Sequence, residues 1–302
     1  MATFDQFLIP AVQLETTQGT IANLDGSGLR FEWTITRDNT PNPDQAEILI
    51  YNLAPVLAGE IAEAWITAWP ELAGYRVSFG IGWQRIAKTV ITGDVWDLIP
   101  DERTPTDRVL RLKIGDGNTA NRDSVFTATY KAITVVTAVE LIATLQAAAP
   151  GTPNGGGLGL EFPESSRALV SEAAKATAVK KIDIAGAYNA RELMDDFMDT
   201  LGLEWRVTNG QFIALRGGVI NRPGPIVKPS TGLISYTTRN DKGIDFTALA
   251  DPEVEPGIQV QVVDDDGQPF GAVVYRVDRV TFSGNTDGES IMAVSASKGV
   301  GV

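Results

Sequence analysis

Leu29, Phe31, Trp33 and Ile35 alternate with Arg30, Glu32 and Thr34, the pattern of a strand with one face in a core and the other in water. The same period of two returns at Ala46 to Tyr51, Tyr75 to Ile81, Val90 to Trp96 and Val109 to Ile114, so residues 20–115 are expected to build a sheet. The stretch from Asp38 to Asp44, rich in Asn and Pro, joins the first two strands as a long-looped hairpin. One helix interrupts the set. Pro55 suits a first helical position, Leu57, Ile61, Ala64, Trp65 and Ala68 share one face at a 3.6-residue period, and Pro70 ends the run.

Past residue 116 the period changes. Thr137 and Glu140 have the spacing of a capping box ahead of Ala138, Leu141, Ile142 and Leu145. A second helix is expected from Asn189, with Glu192 three residues on, burying Leu193, Met194, Phe197 and Leu201 and stopping at Gly202. Leu203 to Val207, the turn Asn209-Gly210 and Gln211 to Leu215 read as a hairpin. The Pro- and Gly-rich tracts Ala147 to Gly157 and Gly217 to Pro229 read as a loop and a linker. Strand patterning then resumes at Ile258, Val260 and Val262, at Val273, Tyr275 and Val277, and at Val280 to Ser283 and Ile291 to Ser295.

With 302 residues, two or three packed units are expected. The apolar share of 43% against 21% charged residues excludes a disordered chain. The net charge of −13 opposes sequence-independent binding of a polyanion. Cysteine and histidine are absent. That removes disulfides, thiolate and imidazole metal ligands, cysteine nucleophiles and the Ser-His-Asp triad. Met1 to Pro10 has neither a basic region nor a long apolar one, so it does not read as a secretion signal. The most apolar stretch, Ala132 to Ala149, carries Glu140 and Gln146 and reads as a buried helix, so no membrane insertion is expected.

Candidate sites are few. Glu192, Asp195, Asp196 and Asp199 fall on one helix face, and four carboxylates there suit a divalent cation or an acid–base pair. The simpler reading is the wet face of a helix whose other side is buried. Asp264-Asp265-Asp266-Gly267 lacks the spacing of a calcium loop and reads as a turn. Gly26 with Gly28, and Gly80 with Gly82, do not extend to a dinucleotide fingerprint, and no phosphate-binding GxxxxGK[ST] run occurs. Trp33, Trp65, Trp69, Trp96 and Trp205 are expected in the core, whereas Trp83, beside Gly82, is expected as an exposed anchor. Phe4, Phe7, Leu8 and Ile9 crowd the N-terminus, and an apolar terminal arm is expected to dock on a neighbouring subunit. No catalytic, cofactor or metal residue is expected.

Several of these segments carry a resemblance. The run Gly28 to Arg37, the Pro41-Asn42-Pro43 turn, and Ala46 to Leu53 ahead of a Pro-started helix resemble the opening of bacteriophage tail hub proteins, especially baseplate hubs of contractile tails. In order there follow Asp116-Gly117-Asn118, Asn189 to Leu193 with Leu201 to Val207, Thr231 to Ile234 with Pro256-Gly257, and Tyr275 to Gly284. The matches span about residues 25–295. Family versions often place histidines around the Ser-Gly turn, where this chain has Phe282 and Asp287.

The resemblance implies an α+β, predominantly β fold with two tube-type β-barrel-like domains flanking an α+β middle region. The expected division is an N-terminal arm at 1–19, β domains at 20–115 and 225–302, and the middle domain at 116–224. It also implies a homotrimeric hub joining a tail tube protein to a spike protein among other baseplate proteins. DNA would pass through its channel without specific binding. The expected place is the virion tail, after assembly in the host bacterial cytoplasm. The alternatives are a carboxylate-based glycoside hydrolase acting on the cell wall, or another tail tube or spike protein.

Overall fold

The computed structural model describes residues 9–16, 19–25, 28–68, 76–83, 86–103, 106–116, 124–144, 160–177, 181–239, 242–272, 274–288 and 290–299. The fold is predominantly β, with four α-helices among the described residues. The first segment gives β1 (Ile9–Thr16), β2 (Gly19–Asp25), β3 (Arg30–Asp38), β4 (Gln45–Tyr51), α1 (Pro55–Ala68), β5 (Arg76–Trp83), β6 (Ile86–Arg103) and β7 (Arg108–Gly115). The middle holds β8 (Val125–Ile133), α2 (Val135–Thr144), α3 (Glu164–Ala176), β9 (Ile182–Asn189), α4 (Ala190–Leu201), β10 (Leu203–Thr208) and β11 (Gln211–Arg216). The last segment adds β12 (Ile226–Val227), β13 (Leu233–Thr238), β14 (Gly243–Leu249), β15 (Gln259–Val262), β16 (Tyr275–Asn285) and β17 (Ile291–Lys298).

The first and last segments share one sheet, in the order β13-β14-β17-β16-β3-β4-β7-β6-β5-β1-β2, with β15 and β12 branching from β16. The seam is β3 against β16, antiparallel from Arg279 opposite Asp38 to Asn285 opposite Glu32. Alternation does what it predicts on β3: Phe31, Trp33 and Ile35 are buried, and Glu32, Thr34 and Thr36 face water. One core lies under the whole sheet, running from Val12 and Phe79 through Ile48 and Phe282 to Phe246 and Val260. The strands close no barrel among the described residues, because β13 and β2 end the sheet unpaired on their outer sides. The β3–β16 seam joins the two segments edge to edge.

The middle segment has its own core, built from Val139, Ile142, Phe162, Val170, Met194, Met198, Trp205 and Phe212. Trp205 stacks on Phe212 with ring centroids 5.4 Å apart, and Phe162 meets Phe212 edge-on at the same distance. α4 keeps its expected ends. The Asn189 side chain accepts the Arg191 and Glu192 N–H groups, and Gly202 takes the left-handed conformation that closes a helix (φ 66°). Met198 is buried, and Phe197 is half-exposed.

Several expectations need correction. α2 begins two residues before Thr137: its cap is Thr134, whose Oγ1 accepts the Thr137 N–H at 3.1 Å, and Glu140 instead pairs with Arg167 of α3 at 2.7 Å. The linker at 217–229 is packed, with Ile220 and Val227 buried and β12 adding a parallel strand to β15. Residues 9–16 of the arm form β1, paired on both sides by β2 and β5. α3, β8 and β9 had no clear signal. On α3 only Val170 is a large buried apolar residue, because Leu169, Ala173 and Ala174 pack partly exposed. The Asp264 to Gly267 turn is as expected, with the Gly267 N–H donating to the Asp264 carbonyl at 3.1 Å. No helix among the described residues is long and apolar enough to cross a membrane.

Candidate functional site

A chain with few catalytic side chains concentrates its buried charge where the middle segment meets the sheet. Arg37, Asp44, Asp116, Arg206 and Arg276 are each at most 5% exposed. Arg37 Nε lies 3.0 Å from Asp44 Oδ2, and Arg37 Nη2 lies 3.7 Å from Glu255. The Asp116 N–H donates to the Asp44 carbonyl at 2.9 Å, placing the end of β7 against the β3–β4 hairpin. Asp116 then accepts the backbone N–H groups of Asn209 and Gly210, the latter at 2.9 Å, so one carboxylate grips the tip of the β10–β11 hairpin. Asn209 and Gly210 both have positive φ (52° and 76°), the turn for which Asn-Gly is suited. Its Oδ1 takes the Thr92 N–H from β6 at 3.1 Å. Around the rim, Arg276 bonds Glu204 at 2.7 Å and Arg191 bonds Asn42 at 2.9 Å.

Asp116, Asp44, Arg206 and Glu255 are shifted from their ordinary values. Burial, then the neighbouring Asp44 charge, pushes Asp116 up to about 7 against the opposing hairpin N–H bonds and Arg37. Burial also raises Asp44, with Arg37 and Arg206 pulling the other way. The Arg206 guanidinium falls to about 10 through burial and the adjacent Arg37 charge. At Glu255 burial acts upward, but the Arg222 hydrogen bond and the charges of Arg37, Arg206 and Arg222 leave the carboxyl below its usual range. The arrangement holds two bodies together. Among the described residues, no cluster of three or more acidic side chains suits a metal ion.

The second feature is exposure at the sheet's ends. On β13, Ile234 and Tyr236 are 55% and 44% exposed, and Ile226 beside it is 54% exposed. Tyr236 stacks on Phe270, centroids 4.2 Å apart. The solvent face carries a row of small side chains, Ser235, Thr247, Ala293, Thr281 and Thr36, across β13, β14, β17, β16 and β3, all but Ala293 bearing a hydroxyl. Arg111 on this face pairs with Glu47 and Glu102, and Lys113 with Asp97.

No family model matches the sequence, and no curated protein sequence is similar to it. Solved structures are similar. A tail protein from Neisseria meningitidis aligns with a TM-score of 0.57 at 13% identity, over 96% of each chain. The 43 kDa tail protein of prophage MuSo2 from Shewanella oneidensis aligns with a TM-score of 0.58 at 11% identity, over 95% of this chain and 97% of that one. The chain has a tail-protein fold. A third neighbour, at a TM-score of 0.54 and 11% identity over 88% of this chain and 73% of its own, is a component of the E. coli type VI secretion system with structural similarity to the T4 bacteriophage tail proteins gp27 and gp5.

Within the tail-protein fold the expected site residues separate. Phe4, Phe7 and Leu8 lie outside the described residues. Ile9 opens β1 opposite Gly82, and Trp83 ends β5 opposite Ile86, so both backbones meet at one corner of the sheet. The side chains of Ile9 and Trp83 lie outside the described residues. Of the acidic stripe, Glu192, Asp196 and Asp199 face water, but Asp195 turns inward and accepts the Trp205 Nε1–H at 2.7 Å. Trp33 and Trp205 are buried as expected. Trp96 is instead 40% exposed, with the Lys113 ammonium 5.2 Å from its ring, because it alternates with the inward-facing Ile91, Gly93 and Val95 and so falls on the outer face. The joint itself escaped sequence reading, though Arg37 carried a signal: it continues the buried series Phe31, Trp33, Ile35 at a spacing of two.

Proposed function

We propose that the chain is a structural hub of a phage-like tail. It forms a homotrimeric ring that adapts a sixfold tail tube to a threefold spike, and it leaves a channel through which DNA passes. The end-to-end likeness to two tail proteins carries this reading, and the gp27- and gp5-like secretion component supports it. The segments 20–115 and 225–302 act as two tube-type units, so three chains present six to the tube, and the middle segment 116–224 is fixed to them by the Asp116 joint. The role is structural and not enzymatic, and its place is the virion tail, assembled in the bacterial host.

The solvent face of the sheet suits the channel wall. Glu32, Asp38, Glu47, Asp94, Asp97 and Asp245 stand on it by register against Arg30, Arg76, Arg111, Lys113 and Arg279, a small excess of acids. An acid excess among hydroxyl side chains gives a polyanion little reason to release counterions and stick. The corner formed by Ile9 and Trp83, with Phe4, Phe7 and Leu8 leading into it, faces a neighbouring subunit. Imaging of assembled tails tests the reading: three copies between tube and spike are expected, and a particle without this chain at that junction overturns it.

A further inference from the structure

The chain has two Asn-Gly pairs, at Asn154 and Asn209. Asn-Gly is the dipeptide that loses its side-chain amide most readily, because glycine has no side chain to hinder attack by its own backbone nitrogen. Asn154 lies outside the described residues. Asn209 and Gly210 form the tip of the β10–β11 hairpin, and Asn209 is exposed, so water and hydroxide reach it.

Residues from three other parts of the chain hold that tip. The Asp116 carboxylate at the end of β7 accepts the N–H groups of both Asn209 and Gly210. The Asn209 Oδ1 accepts the Thr92 N–H of β6 at 3.1 Å. The Gly210 carbonyl accepts the N–H of Glu161, just before α3, at 3.0 Å.

The reaction on which these contacts bear is deamidation. Hydroxide takes the Gly210 amide proton, and the nitrogen attacks Asn209 Cγ. The N–Cγ bond forms as the Cγ–Nδ2 bond breaks, and ammonia leaves with a proton taken from water. Water then opens the five-membered imide to aspartate or, by cleavage at the main-chain carbonyl of residue 209, to isoaspartate. The Asp116 grip opposes the first step: an amide anion at Gly210 would form beside a like charge, and a nitrogen held 2.9 Å from Asp116 is not free to turn onto Cγ. The Thr92 bond draws charge from the Cγ carbonyl and does not oppose attack, so the protection falls to Asp116.

We propose that Asn209 is a deamidation site guarded by the Asp116 grip, so that opening of the joint exposes it and the reaction then keeps the joint from closing again. Isoaspartate puts an extra carbon into the main chain of a turn in which Thr208 and Gln211 are directly paired and both central residues have positive φ. The N–H and C=O of Gly210 then no longer meet Asp116 and Glu161 together. Aspartate keeps the main chain but adds a second negative charge at the tip that the buried Asp116 holds. This inference is independent of the hub reading.

The full chain is incubated at mildly alkaline pH, above the value of about 7 to which Asp116 is pushed, so that its carboxyl is ionised. Mass spectrometry follows conversion of amide to acid in the peptide that holds residue 209. The chain unfolded in urea supplies the unguarded rate, and Asn154 there checks the chemistry. Asn209 of the folded chain is expected to react roughly tenfold more slowly than in the unfolded chain, or slower still, since reaction waits on local opening. Asp116→Ala, shown to be folded by circular dichroism, is expected to recover most of the unfolded rate. Where that variant does not fold, Asp116→Asn replaces it, with a rate between the two. Equal rates for the folded and unfolded native chain, or a variant as slow as the folded native chain, overturn the guard. For the lock, a chain with Asn154→Ser is incubated until a deamidated fraction can be separated by ion exchange. Faster hydrogen exchange across β10 and β11 than in the intact chain is expected, and equal exchange overturns the lock.

Discussion

Asp116 is the residue on which the joint turns. Its carboxyl is pushed up to about 7 from an ordinary value of 3.8, so between those two pH values the folded chain holds more protons than the unfolded one. The stability this group contributes is therefore fully present below pH 4, declines as pH rises, and levels off above about 7. Asp116→Asn removes the titration but keeps an acceptor for one hairpin N–H. The stability of the variant minus that of the native chain should rise by roughly 1–3 kcal/mol from pH 4 to pH 8. Urea unfolding at a series of pH values checks this, and a pH-independent difference would show that Asp116 titrates normally. Arg37→Ala strands Asp44 in the core without its partner and should cost about 3–5 kcal/mol. The double variant Arg37→Met with Asp44→Leu should recover most of it, because an apolar pair of similar volume avoids desolvating charge. Arg37 was legible as an anomaly on an alternating strand. Asp116 was not, since its partners are backbone groups of a hairpin some ninety positions away, and no local pattern encodes such a contact.

At the scale of elements, α4 and the β10–β11 hairpin behave as one unit tied by Asp195. Asp195→Ala leaves the buried Trp205 indole N–H without its acceptor and should cost about 1–3 kcal/mol. Asp195→Asn keeps an acceptor and should cost less, while Asp199→Asn, on the wet face, should change thermal stability little. Asn189→Ala removes the side chain that satisfies two helix N–H groups, for about 1 kcal/mol. Equal losses for Asp195→Ala and Asp199→Asn in thermal melts would return Asp195 to the outer face. These elements were the most legible part of the chain: the Asn cap, the Gly stop and the Asn-Gly turn are local signals with local causes. α2 kept its helical period but not its start, because Thr134 and Thr137 are both able caps and only Thr134 precedes the apolar Val135 that the core takes. The strands β1, β8 and β9 carried weaker signals, and β12 was hidden by the prolines around it.

For the whole molecule, what the sequence withheld is the seam. Two strand-rich segments were readable, but the pairing of β3 with β16 across some 250 positions joins them into one sheet over one core, and pairing partners follow from topology that residue patterns do not carry. The seam has a consequence for assembly. Among the described residues it leaves the outer sides of β13 and β2 unpaired, and an assembly that covers such edges removes a liability to aggregate. The most direct test of the hub is the mass of the purified chain under native conditions, alone and with its tube and spike proteins. The account predicts a species of three times the 32.3 kDa of one chain; a single chain at every concentration and with every partner, or a closed dimer, would contradict it.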